Sequence, residues 1–525
     1  MSRGRAAQFK PLSFSTTMRN PERIAAFLKC LSIFKGQILD NHIIFEVVRL
    51  LIKEKLYCPM YVQRNVFLHN IFKSEEKFSE NQIDEIIENS PQDHKEAEFD
   101  KGWPSRFDTF YKLPMELGFV YYKINEPIII SQTGTLLIDA YKSQEVNNEQ
   151  IKNVFLNALM KYQTNNPFRK ILNSNVPLIL LLETIKLLKE DKEENGAGIL
   201  RNELSLLICW QNNNAYELYN LIKKLRKKYR YNCSDDIIYK ICLKLLLEDD
   251  IKESKRFKKK QILGEAVDDF IRKMRITGII SIRGNGRFID CNAFESEKIE
   301  YILKNYVHYD SFVSKKEFFD YMSKVDSNII CSSQDVDKKI VEDIKLQTLR
   351  RWANEYSIKD IANELLILAK KRATQNNVLK FIDEPTRLEF LVSVILVQHF
   401  KDAKVCPNYH VDDEGIPTFT ASGGMADIEY YDKNCKSLVE VTLMTSRSQS
   451  IVEMPAITRH LQEEIKKEPH NLIFSIFIAP VIHADSNYMS EFSKSRYQVT
   501  ILPYDIEDFI SDIKNKTSLS DLLVS

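Results

Sequence analysis

Glycine is scarce in this 525-residue chain, with 14 positions, too few for long flexible linkers or low-complexity tracts. Long apolar runs are missing as well. The most apolar short run, Val176 to Leu182, falls far below the roughly 18 residues a bilayer span requires, so no membrane crossing is expected. Arg3, Arg5 and Lys10 near the N-terminus are not followed by a hydrophobic stretch and a small-residue cleavage site. That pattern excludes a secretory signal and predicts a cytoplasmic protein. Cysteine occurs nine times, at 30, 58, 209, 233, 242, 291, 331, 406 and 435, but no two are three apart. Without a close pair, no single loop wraps a zinc ion, and reduced core cysteines are the expectation. The remaining composition, 44% hydrophobic and 28% charged, is ordinary for a globular chain long enough for three or four domains.

Net charge is nearly absent too, at +1, yet its distribution is uneven. Residues 1–300 hold 47 Lys and Arg against 40 Asp and Glu, a net of +7, which leaves 27 against 33, a net of −6, for the remainder. Residues 201–290 carry 20 against 12, concentrated in Lys223, Lys224, Arg226, Lys227, Lys228 and Arg230 and then in Lys255, Arg256, Lys258, Lys259 and Lys260. Such density suits a polyanion, because each neutralised phosphate releases condensed counterions. A solvated helix face is the other reading of either cluster.

Along the chain, Asn20-Pro21-Glu22-Arg23 predicts a helix start with Pro at its first position, and a second amphipathic helix is expected over 41–54. Residues 103–140 read as a helix ending near Gly118, a strand over 119–124, a turn at Asn125-Glu126-Pro127 and a strand over 128–131. The pattern returns at 264–290, where Phe270 stands eight residues before Gly278 as Phe110 stands eight before Gly118, with a hairpin turning at Gly284-Asn285-Gly286-Arg287. A helix followed by a basic hairpin suits winged-helix modules that read duplex DNA, although such hairpins also merely pack. Residues 150–250 read as helical with a loop near 195, and residues 296–380 as a helical connector.

The pattern changes at Asp383. A very apolar helix is expected over 385–400, strands near 405–410, 426–431 and 438–443, a helix over 451–467 and a buried strand over 471–479. This αβββαβ order is the core of many metal-dependent nucleases. Asp427 lies in Ala426-Asp427-Ile428-Glu429 after Gly423-Gly424, and Glu440 lies thirteen positions on in Val439-Glu440-Val441-Thr442. Antiparallel pairing through the Asp432-Lys433-Asn434 turn brings the two carboxylates together at one sheet edge. Adjacent carboxylates in an apolar sheet are electrostatically costly unless a cation holds them, and hard oxygen ligands favour Mg²⁺. A surface hairpin bearing Asp and Glu harmlessly is the alternative. Glu389 sits on the apolar helix, where a carboxylate must be paired, solvated or liganded. Glu453 and His460, seven apart, share a helix face; the histidine is either structural or placed to orient water or phosphate.

The run from Glu389 through Gly423-Gly424, Asp427, Glu440-Val441-Thr442-Leu443 and Glu453 to His460 resembles the cleavage domain of the AlwI family of type IIS restriction endonucleases. The opening Lys10-Pro11-Leu12-Ser13-Phe14-Ser15-Thr16-Thr17-Met18-Arg19-Asn20-Pro21-Glu22-Arg23 is similar to that family's opening, so the resemblance takes in nearly the whole chain. It implies a C-terminal α/β restriction-endonuclease-like domain of the PD-(D/E)xK type. Asp427, Glu440 and the Val441 carbonyl would hold catalytic Mg²⁺, with Glu389, Glu453 and His460 completing the catalytic site. It further implies recognition of a short asymmetric double-stranded DNA sequence and cleavage a few base pairs outside it. One departure stands out: Thr442 occupies the place of the usual Lys, which passes that lysine's role toward Glu453 and His460. Lys436 is set aside as a substitute because it is expected to precede the strand.

The domains expected are 1–145 and 146–295, two mainly helical DNA-recognition subdomains each with a winged-helix-like hairpin, then the 296–380 connector and the 381–525 nuclease domain. Arg19, Arg23 and Arg287 are candidates for DNA contact. With one active site per chain, second-strand cleavage requires a second copy or a small catalytic subunit. A strand-specific nicking enzyme, or the large subunit of a heterodimer, is the closest alternative, and a non-catalytic winged-helix DNA-binding protein is the alternative of another class.

Overall fold

A computed structural model describes residues 14, 18–74, 76–96, 98–142, 146–169, 171, 173–193, 196–247, 257–333, 336–468 and 472–524. Lys10 to Ser13, Ser15 to Thr17, Asn195, Lys255, Arg256 and Asn471 lie outside that set. The chain is mostly helical with one mixed five-stranded sheet and small antiparallel ones, and it divides into two units: residues 1–68 with 77–335, and residues 69–76 with 336–525. The division falls inside the stretch expected as a connector. No helix among the described residues is long and apolar enough to cross a membrane.

In the first unit, Pro21–Arg23 opens as a short 3-10 turn capped by the Asn20 side chain, and Ile24–Ser32 and Asn41–Lys53 follow as α-helices. The two helix-and-hairpin segments share a design. Helix Trp103–Glu116 ends at Gly118 (φ +79°), and strand Val120–Tyr121 pairs antiparallel with Ile129–Ile130. Helix Ala266–Arg275 ends before Gly278 (φ +78°), and Ile280–Arg283 pairs antiparallel with Phe288–Cys291. Both glycines adopt the left-handed conformation that closes a helix C-terminus. Each hairpin also receives a third extended segment from earlier in the chain: Ile38 bridges to Pro127, and Ile199–Leu200 pairs with Phe288 and Ile289. The first hairpin is shorter than the expected 119–131 strands, because its ladder is two residues long on each side.

In the second unit, α1 (Lys338–Glu355) and α2 (Ile358–Ala369) precede the apolar α3 (Glu384–His399). Then come β1 (Lys404–Pro407), the small hairpin β2 (His410–Val411) and β3 (Pro417–Phe419), β4 (Ile428–Tyr431) and β5 (Lys436–Val441). A π-helical turn, Gln449–Glu453, leads into α4 (Met454–Lys467), followed by β6 (Ile473–Ala479), α5 (Ala484–Tyr497) and β7 (Ile501–Asp505). The main sheet runs in the order β7-β6-β5-β4-β1, with β1, β4 and β5 antiparallel and β5, β6 and β7 parallel. Three corrections follow. The strand expected over 405–410 is two strands, because the chain leaves the main sheet after Pro407. The sheet has a further strand, β7, entered through α5. Lys436 is the first residue of β5 rather than a residue preceding it.

Every residue of β6 is buried, which places the core of this unit around the parallel strands. Phe477, Leu438, Ile457, Leu461 and Val499 pack together there. The helix α3 buries nearly every residue from Thr386 to Leu396, so it lies inside the fold, and its one acidic residue in that stretch, Glu389, is carried in with it.

Candidate active site

The hairpin register brings the two carboxylates together. Lys436 pairs with Tyr431 and Val439 with Ile428, which sets Asp427 beside Glu440 as the ladder ends. Their side chains cross-link the two strands: the Asp427 backbone N–H donates to Glu440 Oε2 at 3.2 Å, and the Val441 N–H donates to Asp427 Oδ2 at 2.8 Å. Asn408 holds the same strand end from the other side, its N–H on the Asp427 carbonyl at 2.9 Å and its amide on the Ala426 carbonyl at 2.7 Å.

Three more groups close around this pair. Glu389 is 4% exposed and accepts a hydrogen bond from the Ala421 N–H at 3.1 Å. His460 Nδ1 lies 3.2 Å from Glu440 Oε1. Glu453 receives the Thr442 hydroxyl at 3.4 Å. Glu453 closes the π-helical turn that runs directly into α4, and both side chains reach the end of β5, Glu453 at Thr442 and His460 at Glu440.

Electrostatics register the crowding. Desolvation, reinforced by Glu440, Glu389 and Glu453, pushes the Asp427 carboxyl well above the usual carboxylate range. Desolvation raises Glu389 to about 8, with Glu440 adding to it while the Ala421 N–H and Lys345 oppose it. The hydrogen bond to Glu440 holds His460 above the ordinary histidine value. Asp427 and Glu389, both pushed toward the protonated form beside Glu440 and Glu453, make an environment that a hard cation relieves. Among the described residues no three His, Cys, Asp or Glu side chains converge as a metal-binding group. The oxygen donors that lie side by side at the strand end are the Asp427 and Glu440 carboxylates.

Thr442, where the resemblance leads one to expect a lysine, engages Glu453 through its hydroxyl. Lys436 is buried at the far end of β5 and binds Glu464 and, at 3.3 Å, Glu468, so its charge is compensated there. Two groups near the site escape notice in the sequence: the Ala421 N–H, an anonymous loop amide, and Lys345, which lies in the stretch read as a connector.

The arginine candidates sit in the first unit. Arg19 is exposed and pairs with Glu265 at 3.4 Å. The Arg23 guanidinium donates to the Leu56 carbonyl and lies over the Phe27 ring, 5.3 Å from its centroid. Arg287, in the hairpin turn, donates to the Tyr231 carbonyl at 2.9 Å. Of the basic run, Arg226 is buried in an ion pair with Glu203 and Lys223 pairs with Asp191 at 2.7 Å, whereas Lys224, Lys227 and Lys228 are exposed. The run is thus part core, part surface.

Comparison with known proteins adds the family. No curated protein sequence matches the chain. Among solved structures, the small subunit of the heterodimeric restriction endonuclease R.BspD6I is 21% identical over 32% of this chain and 87% of its own, with a TM-score of 0.27. Restriction endonuclease FokI is 12% identical over 99% of this chain and 98% of its own, with a TM-score of 0.26. FokI bound to DNA is 12% identical over 98% and 97%, with a TM-score of 0.25. Residues 115–364 and 329–511 match the AlwI restriction endonuclease family, well over half of the sequence. The chain belongs to the AlwI restriction endonuclease family and is a site-specific DNA nuclease.

Proposed function

We propose that this chain is a type IIS restriction endonuclease, reading a short asymmetric duplex sequence with its first unit and hydrolysing a phosphodiester bond outside that sequence with a PD-(D/E)xK-type site in its second. The observation that carries this reading is the Asp427–Glu440 juxtaposition at the end of β4 and β5, with Glu389, Glu453 and His460 around it. The twofold helix-and-hairpin design, with the third extended segment in each copy, supports two winged-helix recognition modules over 1–145 and 146–295, joined through 296–380 to the nuclease domain at 381–525.

Asp427, Glu440 and the Val441 carbonyl would hold Mg²⁺, which when bound supplies Lewis-acid stabilisation of charge on phosphoryl oxygen and a lowered pKa for water. The protein's own groups do the rest. Glu440 fixes the His460 ring through Nδ1, leaving Nε2 to hold or release a proton at the edge of the site. Thr442 has no charge to offer; its hydroxyl orients Glu453. Glu389, buried and with an elevated pKa, exchanges a proton near neutral pH when no cation is present. The expected products are a 5′-phosphate and a 3′-hydroxyl. Arg19, Arg23 and Arg287, with the exposed lysines of the 224–228 run, are proposed to contact the duplex.

One carboxylate cluster acts on one strand, so double-strand cleavage takes a second cleavage domain from another copy or a small subunit. The test is supercoiled plasmid with and without Mg²⁺, beside Asp427→Ala. Discrete linear fragments, absent from the variant, are the expected result. Open circles alone assign a nicking enzyme or a chain lacking its partner, and an Asp427→Ala variant that cuts like the wild type refutes the site.

A further inference from the structure

A turn held by hydrogen bonds rather than by its apolar residues carries Glu453. Of the five residues Gln449–Glu453, only Gln449 and Ser450 are buried, and both are polar. Ile451 and Val452 are 64% and 54% exposed. Where the turn enters α4 it is fixed by Met454, which lies in the core with Leu461 and Phe477. Where it begins, the anchor is the Gln449 amide. That side chain is 0% exposed and uses its whole hydrogen-bonding capacity. Its Nε2 donates to the Met444 carbonyl and to the Val481 carbonyl, each at 2.8 Å. Its Oε1 accepts from the His483 N–H at 2.9 Å and from the Ser486 hydroxyl at 3.1 Å. One amide thus ties the loop that leaves β5 to the loop that leaves β6 and to the first turn of α5.

The connection from this amide to the site is made of bonds. The Thr442 N–H donates to the Ile478 carbonyl of β6 at 3.0 Å, and the Met444 N–H donates to the Thr442 hydroxyl at 3.3 Å. Two residues before the turn, Arg447 pairs with Asp485 of α5 at 2.9 Å. The Met454 N–H donates to the Gln449 carbonyl, closing the π turn over Glu453, whose Oε1 lies 3.4 Å from the Thr442 hydroxyl. A buried amide is costly unless it is bonded, and a fully bonded one specifies a single arrangement of the segments it joins. A π turn also takes its side chains off the α-helical register, and such turns recur at functional sites.

We propose that Gln449 is a positioning residue for the cleavage site, fixing the loop after β5 and the π turn so that the Glu453 carboxylate meets the Thr442 end of that strand. The inference rests on the nuclease reading above and concerns Glu453 alone among its groups. Gln449 does not touch the reacting atoms.

The test is a double-mutant cycle of single-turnover plasmid cleavage in Mg²⁺, with wild type, Gln449→Met, Glu453→Gln and the two combined, beside Asp427→Ala. Rates are taken well below each melting temperature, and plasmid affinity is measured in Ca²⁺. Gln449→Met, which keeps the length of the side chain and removes its hydrogen bonds, is expected to slow cleavage about tenfold or more with affinity unchanged. In the Glu453→Gln background the same change is expected to cost less than about twofold, because no carboxylate is left to displace. Equal slowing in both backgrounds marks a merely structural defect and overturns the proposal, as does wild-type cleavage by Gln449→Met. If Glu453→Gln cuts too slowly to time, Gln449→Met is compared with Leu519→Ala, a buried site in the C-terminal segment of the same unit; a Gln449→Met rate no lower than that of Leu519→Ala overturns the proposal, and a lower one supports it. Should Gln449→Met fail to fold, Ser486→Ala, which removes one of the four bonds, replaces it, with slowing of about two- to threefold expected and a wild-type rate overturning the proposal. The levels separate: if Asp427→Ala still cuts, the site reading fails; if Asp427→Ala is inert while Gln449→Met cuts normally, only the role of Gln449 fails.

Discussion

Lys161 shows at the scale of one residue how burial sets stability. It is 4% exposed and donates to the carbonyls of Met322 at 2.8 Å and Lys324 at 2.6 Å. Desolvation lowers its pKa from 10.5 to about 7, against an opposing contribution from Asp326. The unfolded chain keeps the proton up to its ordinary value while the folded chain releases it near 7. Between those two values the unfolded state binds more protons, so stability rises with pH, and below the folded pKa the full cost of burying charge is present. The slope approaches 1.4 kcal/mol per pH unit for this one group, roughly. Denaturant unfolding of wild type and Lys161→Met is therefore expected to show the wild-type advantage growing by about 2–3 kcal/mol from pH 7 to pH 9; an advantage that stays flat with pH removes the argument. The contrast with the nuclease site is instructive. The approach of Asp427 to Glu440 is legible in the sequence, because a short turn and a two-residue side-chain period fix the register. Neither Lys161 nor Lys345 is legible among 74 Lys and Arg, since the carbonyls that receive them, on Met322 and Pro407, come from distant parts of the chain.

Elements are readable where local chemistry agrees with tertiary packing. The junction of helix and hairpin is marked twice by glycine at the same distance from a phenylalanine, and both glycines take positive φ. Their surroundings differ. A methyl group at Gly118 would lie 2.6 Å from the Met322 carbonyl carbon, whereas one at Gly278 would meet the Lys152 side chain, whose Cδ is 2.9 Å away. Backbone cannot yield as a flexible stem does, so Gly118→Ala is expected to destabilise by about 2–4 kcal/mol and Gly278→Ala by about 1–2 kcal/mol. Paired thermal melts decide it, and equal losses would contradict the difference in surroundings. Elements escape the sequence where such agreement is missing. β7 contains Pro503, which argues against a strand, but β7 is the edge of the main sheet, where a missing N–H is tolerated. The preceding α5 spreads Ser, Asn, Tyr and Phe around its circumference without an apolar stripe, so periodicity does not announce it. The π-helical turn that carries Glu453 has the same defect: nothing in Gln449 to Glu453 distinguishes it from α-helix.

Over the whole molecule charge is separated, +7 in residues 1–300 and −6 beyond, the distribution expected if, as proposed, the first unit makes the electrostatic contact with DNA and the second carries the cleavage carboxylates. Composition reveals this division, but not which charges are available. Arg226 and Lys223 belong to internal ion pairs, and Lys259 pairs with Asp236 at 2.6 Å, whereas Lys224, Lys227 and Lys228 on helix Ala215–Tyr229 are exposed, as are Lys258 and Lys260. The salt dependence of binding measures the difference, because each phosphate contact contributes about 0.9 to the slope of log affinity against log salt on duplex DNA. With full-length Asp427→Ala in chelator, so that no strand is cut, changing Lys224, Lys227 and Lys228 together to Gln is expected to lower that slope by about 2–3. Changing Lys466 and Lys467 to Gln, at the C-terminal end of α4, is expected to leave the slope as it was. Glutamine retains helix propensity, so the fold is not the variable. A slope unmoved by the triple change would mean that the run is a solvated face, and that the first unit binds DNA through other groups, with Arg19 and Arg287 the next to replace.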